Sequence, residues 1–169
     1  GEVKSKLNYA APERLEDSPI FSLLVPMFIQ GRGQAQQAAC MSNLKQIGLA
    51  FMMYVADHDE VLPGEDWVEE VYPYLKNRQV FICPSREAIL VGYAFNEALV
   101  GVNLADIEAP AETVLAFESN IGGDAPVGGA DDVPPNGVHE GGVNVVFADA
   151  HVKWMPAEAA MDALAREVR

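Results

Sequence analysis

From Met41 onward the apolar residues Met41, Leu44, Ile47, Leu49, Phe51, Met52 and Val55 recur near three- and four-residue intervals, with Ser42, Asn43, Lys45 and Gln46 between them. That period is helical and predicts one stripe lying against a globular head. Upstream, Phe21, Leu23, Leu24, Val25, Met27, Phe28 and Ile29 make residues 20–29 almost wholly apolar, so one helix over residues 21–57 is expected to begin apolar and become amphipathic. Pro26 lies inside it, as do Gly31 and Gly33, each costing about 1 kcal/mol relative to alanine, so a bend or unwound turn is expected near Gly31. Residues 1–20 show no amphipathic period, are punctuated by Pro12 and Pro19, and read as an extended arm.

Residues 58–169 read as an α/β head. Asp66 is placed to cap a short helix over residues 67–77, and strands are expected at residues 80–83, 91–95 and 113–117. A long loop over residues 118–141 separates these from the clearest sheet element. Residues 142–148 and 151–155 flank Asp149-Ala150, which reads as a two-residue hairpin turn pairing Phe147 with Val152 and Val145 with Trp154. A last helix over residues 157–168 would carry Ala160, Met161, Leu164 and Val168 on one side.

Several segments together carry a resemblance. The helix has Pro26, then Cys40 and SNLKQIGLAFMMY; the head has Trp67 with VYPYLKN, VFICPS with Cys83, ETVLAFES, and VHEGGVNVVFADAHVKW. These resemble prepilin-like proteins related to type IV pilins and type II secretion pseudopilins, whose C-terminal signature is His, nine residues and Asp-Gly. His139 and Asp149 take those positions here, as structural signature residues, and Ala150 replaces the glycine. A hairpin turn wanting positive φ at that position would strain alanine. The resemblance implies an α+β fold: a long N-terminal helix packed on a small antiparallel sheet, in an assembly subunit that works outside the cytoplasm. Upstream of Pro26 this chain reads GEVKSKLNYAAPERLEDSPIFS, where family members carry a cleaved leader and an apolar run with a glutamate near its start; Tyr9 stands about where that glutamate would be. The expectation is a helix that keeps its packing and subunit-contact surfaces without the family's membrane anchor.

Charge narrows the partners. The formal net charge is −14, and no Lys or Arg occurs between Arg86 and Lys153. Such a surface repels a phosphate backbone, which excludes nucleic acid as the main partner and disfavours anionic membranes. No segment reaches the ~20 apolar residues of a membrane span. The acidic loop residues Asp124, Asp131 and Asp132 fall where the major pseudopilins that this chain resembles carry a calcium loop; solvated surface acids are the plainer reading.

The cysteines Cys40 and Cys83 stand in no CxxC pattern, which argues against a thiol-based metal or redox site. In an exported chain they could form one disulfide contributing ~4 kcal/mol, and in a cytoplasmic one they would be small buried apolar residues. The resemblance points to the disulfide. His58, His139 and His151 belong to no HExxH or Cys/His pattern and are expected to be structural; Ser85 and Ser119 lack a nucleophile elbow. Catalysis is therefore not expected. What remains is the apolar half-helix, whose Phe21, Leu23, Leu24, Val25, Met27, Phe28 and Ile29 would serve as a subunit interface between copies of this chain. The expectation is a structural subunit of an extracellular filament or pilus-like surface polymer, the alternative a periplasmic or secreted calcium- or ligand-binding module.

Overall fold

A computed structural model describes residues 19–86 and 89–166, with side-chain surroundings from Leu24 onward; of the arm expected over residues 1–20, residues 1–18 lie outside the described residues, and Pro19 and Ile20 already belong to a helix. Helix α1 covers Pro19–Asp57 and is helical throughout, including Pro26, Gly31 and Gly33, so the unwound turn expected near Gly31 does not occur. The chain falls into two compact units that meet between Gln34 and Ala35. The first contains the start of α1, where Leu24, Met27, Phe28 and Ile29 are exposed at 41%, 66%, 74% and 68% and Val25 is half-buried. No described helix is long and apolar enough to cross a membrane.

In the second unit, Cys40, Leu44, Ile47, Phe51 and Val55 of α1 are all buried, four or three residues apart on one face. This is the stripe the sequence pattern predicts, although Met41, Leu49 and Met52 lie at its edges or outside it. Polar residues beside the stripe tie the helix to main-chain carbonyls of the head. Gln36 Nε2 donates to Pro84 O at 3.1 Å, Asn43 Nδ2 to Ile82 O at 3.1 Å, and Lys45 Nζ to Ala150 O at 2.7 Å.

Helix α2 covers Trp67–Leu75. Asp66 occupies its N-cap position but makes no capping hydrogen bond with its side chain. Tyr54 and Gly64 N instead both donate to Glu70, joining α1, the turn at Pro63-Gly64 and α2. Val80 and Phe81, the first half of the strand expected over residues 80–83, instead end a short 3-10 turn, Arg78–Phe81, opened by Asn77, whose side chain accepts from Gln79 N. That capped turn supplies the backbone partners a strand would otherwise need.

Strands β1 (Tyr93–Asn96), β2 (Val114–Glu118), β3 (Val127–Gly128), β4 (Gly142–Phe147) and β5 (Val152–Pro156) form one sheet in the order β3-β1-β2-β4-β5. The sheet is mixed rather than purely antiparallel, because β3 pairs parallel to β1. This short strand lies inside the stretch expected to be loop. Every residue of β1, β2 and β4 is buried, since the sheet is covered on both faces. Tyr93, Phe95, Leu115, Ala116 and Val146 join the core under α1 and α2, while Ala94, Val114, Phe117, Val145 and Phe147 join a second core with helix α3, Ala157–Leu164.

The hairpin register differs by one residue from the expected one. Val146 pairs with Val152, Val145 with Lys153 and Asn144 with Trp154. The connection is three residues long: Phe147 N donates to His151 O at 2.9 Å, and Ala150 N to Phe147 O at 2.8 Å. A three-residue connection closes through a residue with positive φ, here Ala150 at 64°. Ala150 thus takes the positive φ that alanine resists, in a three-residue connection rather than the expected two-residue turn.

Candidate functional site

Under the N-terminal end of the buried stripe, four side chains from four separate segments meet. Cys40 comes from α1, Cys83 from the loop after the 3-10 turn, Glu118 from the end of β2, and His139 from the segment before β4. All four are buried, and one donor atom from each lies within 4.8 Å of the others. Among the described residues it is the sole such grouping of three or more Cys, His, Asp or Glu.

Local structure explains each placement. Cys40 continues the apolar face of α1 one turn before Leu44. Cys83 reaches the cluster because Gly92 lets its loop lie against the sheet: a Cβ at Gly92 would meet Cys83 Cβ at 2.6 Å. Glu118 follows an irregularity in β2, where the register against β4 shifts between Val114 and Ala116. Beyond it Ala116 faces the α1 core, so Glu118, two residues on, faces the same way. His139 is fixed by main-chain bonds to Gly142 and by Trp154, whose Nε1 donates to His139 O at 2.9 Å.

The polar contacts are dense. Cys40 Sγ and Cys83 Sγ are 2.9 Å apart, and His139 Nε2 lies 3.0 Å from Glu118 Oε1. Asn144 grips the same carboxylate twice, through its backbone N to Oε2 at 2.7 Å and through Nδ2 to Oε1 at 3.2 Å. Among the described residues no Lys or Arg pairs with Glu118; its charged partner is His139. Burial works against the imidazolium of His139, yet hydrogen bonding to Cys83 and Glu118 and their charge outweigh it and lift its pKa to about 9. Hydrogen bonding from Cys40 lowers the pKa of Cys83 against the effect of burial, with His139 adding to the lowering, while the Cys40 thiol, donating that bond and buried, is pushed up. Among the described residues, three buried side-chain polar atoms have no hydrogen-bond partner: Ser85 Oγ, the hydroxyl of Tyr93, which lies near Cys40, and Asn144 Oδ1.

The remaining expected residues fall elsewhere. Asp149 sits in the hairpin turn, its Oδ1 accepting from His151 N at 2.9 Å and facing His151 Nδ1 at 2.6 Å, while the His151 ring stacks on Phe147. His58 stacks on Tyr54 at the end of α1, with Nδ1 2.7 Å from Tyr54 O. Both imidazoles have hydrogen-bonding and stacking partners within the head; His139 belongs to the cluster. Asp131 and Asp132 lie in a 3-10 turn, Ala130–Asp132, where Asp132 Oδ2 accepts from Gly129 N at 2.9 Å. Asp124 lines a different surface hollow with Asp66, Glu69 and Arg78, and the three aspartates do not converge on one point. Phe21 and Leu23 belong to α1, with side chains outside the described surroundings.

The disulfide that the resemblance implies between Cys40 and Cys83 is not formed in this structure: both are free, buried cysteines whose sulfurs lie 2.9 Å apart. The gathering of Glu118, His139, Asn144 and Tyr93 around them was not expected. The available signal was a polar residue at the end of an otherwise apolar strand, Glu118 after VLAF, with a second inside VNVVF, Asn144. Polar residues in fully buried strands need partners, and here they are each other's. The chain matches no known family model, curated protein or solved structure.

Proposed function

We propose that this chain is a structural subunit of an extracellular filament or pilus-like surface polymer, joined to other copies of itself through the N-terminal part of α1 and the residues before it. The observation that carries this reading is the exposure of Leu24, Met27, Phe28 and Ile29 on a helix whose later half is buried in the head. Burying each such side chain against a neighbouring copy contributes about 1.5–3 kcal/mol, and a contiguous exposed apolar surface of this kind marks a partner site. The likeness of SNLKQIGLAFMMY and of the His139 to Asp149 segment to prepilin-like proteins supports both the polymer and its place outside the cell. The head's part in this reading is structural rather than catalytic.

The test is a triple substitution, Met27→Glu, Phe28→Glu and Ile29→Glu, in the full chain. Negative-stain microscopy and sedimentation are expected to show polymer for the natural chain and monomer for the variant, with an unchanged melting transition of the head. A natural chain that stays monomeric at every concentration would sink the proposal.

A further inference from the structure

The buried cluster offers more than a cysteine pair. Two thiols, an imidazole and a carboxylate converge within 4.8 Å of one another, out of contact with solvent. Thiolate sulfur with imidazole nitrogen is the donor set of a thiophilic divalent cation, and a carboxylate oxygen is a regular fourth ligand; calcium and magnesium prefer oxygen alone. We propose that Cys40, Cys83, Glu118 and His139 form a closed, structural zinc site that pins α1 to the sheet.

Dimensions and surroundings support this. With zinc–sulfur distances of about 2.3 Å and zinc–nitrogen or zinc–oxygen distances of about 2.0–2.2 Å, a tetrahedron has donor–donor edges of roughly 3.3–3.8 Å. The His139–Glu118 contact of 3.0 Å and the sulfur separation of 2.9 Å need to widen only by a few tenths of an ångström and by about 1 Å. Asn144 orients Glu118 through its backbone N and Nδ2, which is the supporting contact that ligands to a metal characteristically have. The unpartnered hydroxyl of Tyr93 and Oδ1 of Asn144 are both on fully buried side chains at the cluster. A disulfide uses two of the four groups and leaves Glu118 and His139 as a buried ion pair, whose desolvation its own attraction offsets poorly. Zinc uses all four, and it links α1, the Cys83 loop, β2 and the segment before β4 at one point.

The test uses the full chain purified with a phosphine reductant and without chelator. Metal analysis is expected to find one zinc per chain. Titration of the metal-free reduced protein with cobalt(II) is expected to give the sulfur-to-cobalt charge-transfer band and the intense visible bands of a tetrahedral site, both abolished by added zinc. Cys83→Ser should lose the charge-transfer intensity due to its sulfur and weaken zinc binding at least tenfold; His139→Gln should keep that band and weaken binding. The proposal is overturned if the reduced natural chain takes up cobalt without tetrahedral bands. It is equally overturned if zinc binds no more weakly to a Cys40→Ser, Cys83→Ser double variant, or if the chain isolated without reductant holds a disulfide and, once reduced, binds no zinc.

Discussion

Gly48 stands where α1 lies against Val146 of β4, and replacing it with alanine sets two effects of opposite sign against each other. In a helix interior the change favours folding by about 1 kcal/mol. Against this, the added Cβ would meet Val146 Cγ2 at 2.6 Å, with Ala150 Cβ at 3.4 Å behind it. Carbon atoms rest about 3.5–4.0 Å apart, so helix or strand must yield by roughly 1 Å. Val146 cannot easily turn aside, because its side chain is β-branched and fully buried on β4, which is paired on one side with β2 and on the other with β5. Overpacking of this kind costs about 1–3 kcal/mol, and the rigid surroundings favour the upper half of that range. The net expectation is a loss of about 1–2 kcal/mol, which for a chain of this length lowers the melting temperature by about 2–8 °C.

Urea or thermal unfolding followed by circular dichroism reads the effect, and a double-mutant cycle with Val146→Ala identifies its cause. Truncating Val146 alone destabilises by removing buried methyl groups. In the Gly48→Ala background it also relieves the clash, so the two substitutions should couple by at least about 1 kcal/mol. A Gly48→Ala variant more stable than the natural chain would refute the close approach, because it would mean that helix propensity alone governs the site.

Two further outcomes follow from the hairpin and the acidic loops. Hydrogen bonds from His151 N and the His151 imidazole, together with the latter's charge, hold the Asp149 pKa below its ordinary 3.8 even though burial works in the other direction. Asp149→Ala is therefore expected to destabilise the chain modestly near neutral pH, by an amount that shrinks as pH falls below that ordinary value and through the folded one; a difference independent of pH from neutral to strongly acidic conditions would refute the role given to the carboxylate. Because Asp124, Asp131 and Asp132 do not converge, calcium at millimolar concentration and a calcium-selective chelator should leave the melting temperature equal, as checked by calorimetry on the same preparation.

How legible each part was depends on how locally it is determined. The stripe from Leu44 to Val55 was readable because a 3.6-residue period is written into consecutive residues, and the strands around Phe95, Phe117 and Val145 because short apolar runs between turns have few other uses. Val80 and Phe81 read as the start of a strand because both are buried either way, and the contact that places them in a 3-10 turn is Asn77 accepting from Gln79 N. The one-residue register error has a similar origin. Asp149-Ala150 satisfies the composition of a two-residue turn and of a three-residue one; the choice is made by the hydrogen bond from Phe147 N to His151 O, closed over the positive φ of Ala150. Strand β3 has only two residues, too few for any periodicity to register.

The buried cluster was hidden for a different reason, which also bears on the spacing of His139 and Asp149. Cys40 sits on the same helical face as Leu44, Ile47 and Phe51, so by pattern it is one more core residue. Its companions lie 43, 78 and 99 positions away at Cys83, Glu118 and His139, and no local motif spans such distances. His139 and Asp149, by contrast, are tied by the length of β4. The strand leaves the cluster at Gly142, passes Asn144, whose Nδ2 holds Glu118, and ends at Phe147, one residue before the three-residue connection that contains Asp149. The nine residues between histidine and aspartate thus measure one strand and its approaches, with the histidine anchoring the end in the core and the aspartate ordering the turn under Lys45 of α1. A one-residue insertion in β4 between Asn144 and Val145 would separate those two anchors or turn Val145 and Phe147 from the α3 core toward α1. On this account the spacing of His139 and Asp149 is a structural ruler, and His139 is the one of the two that joins the buried cluster.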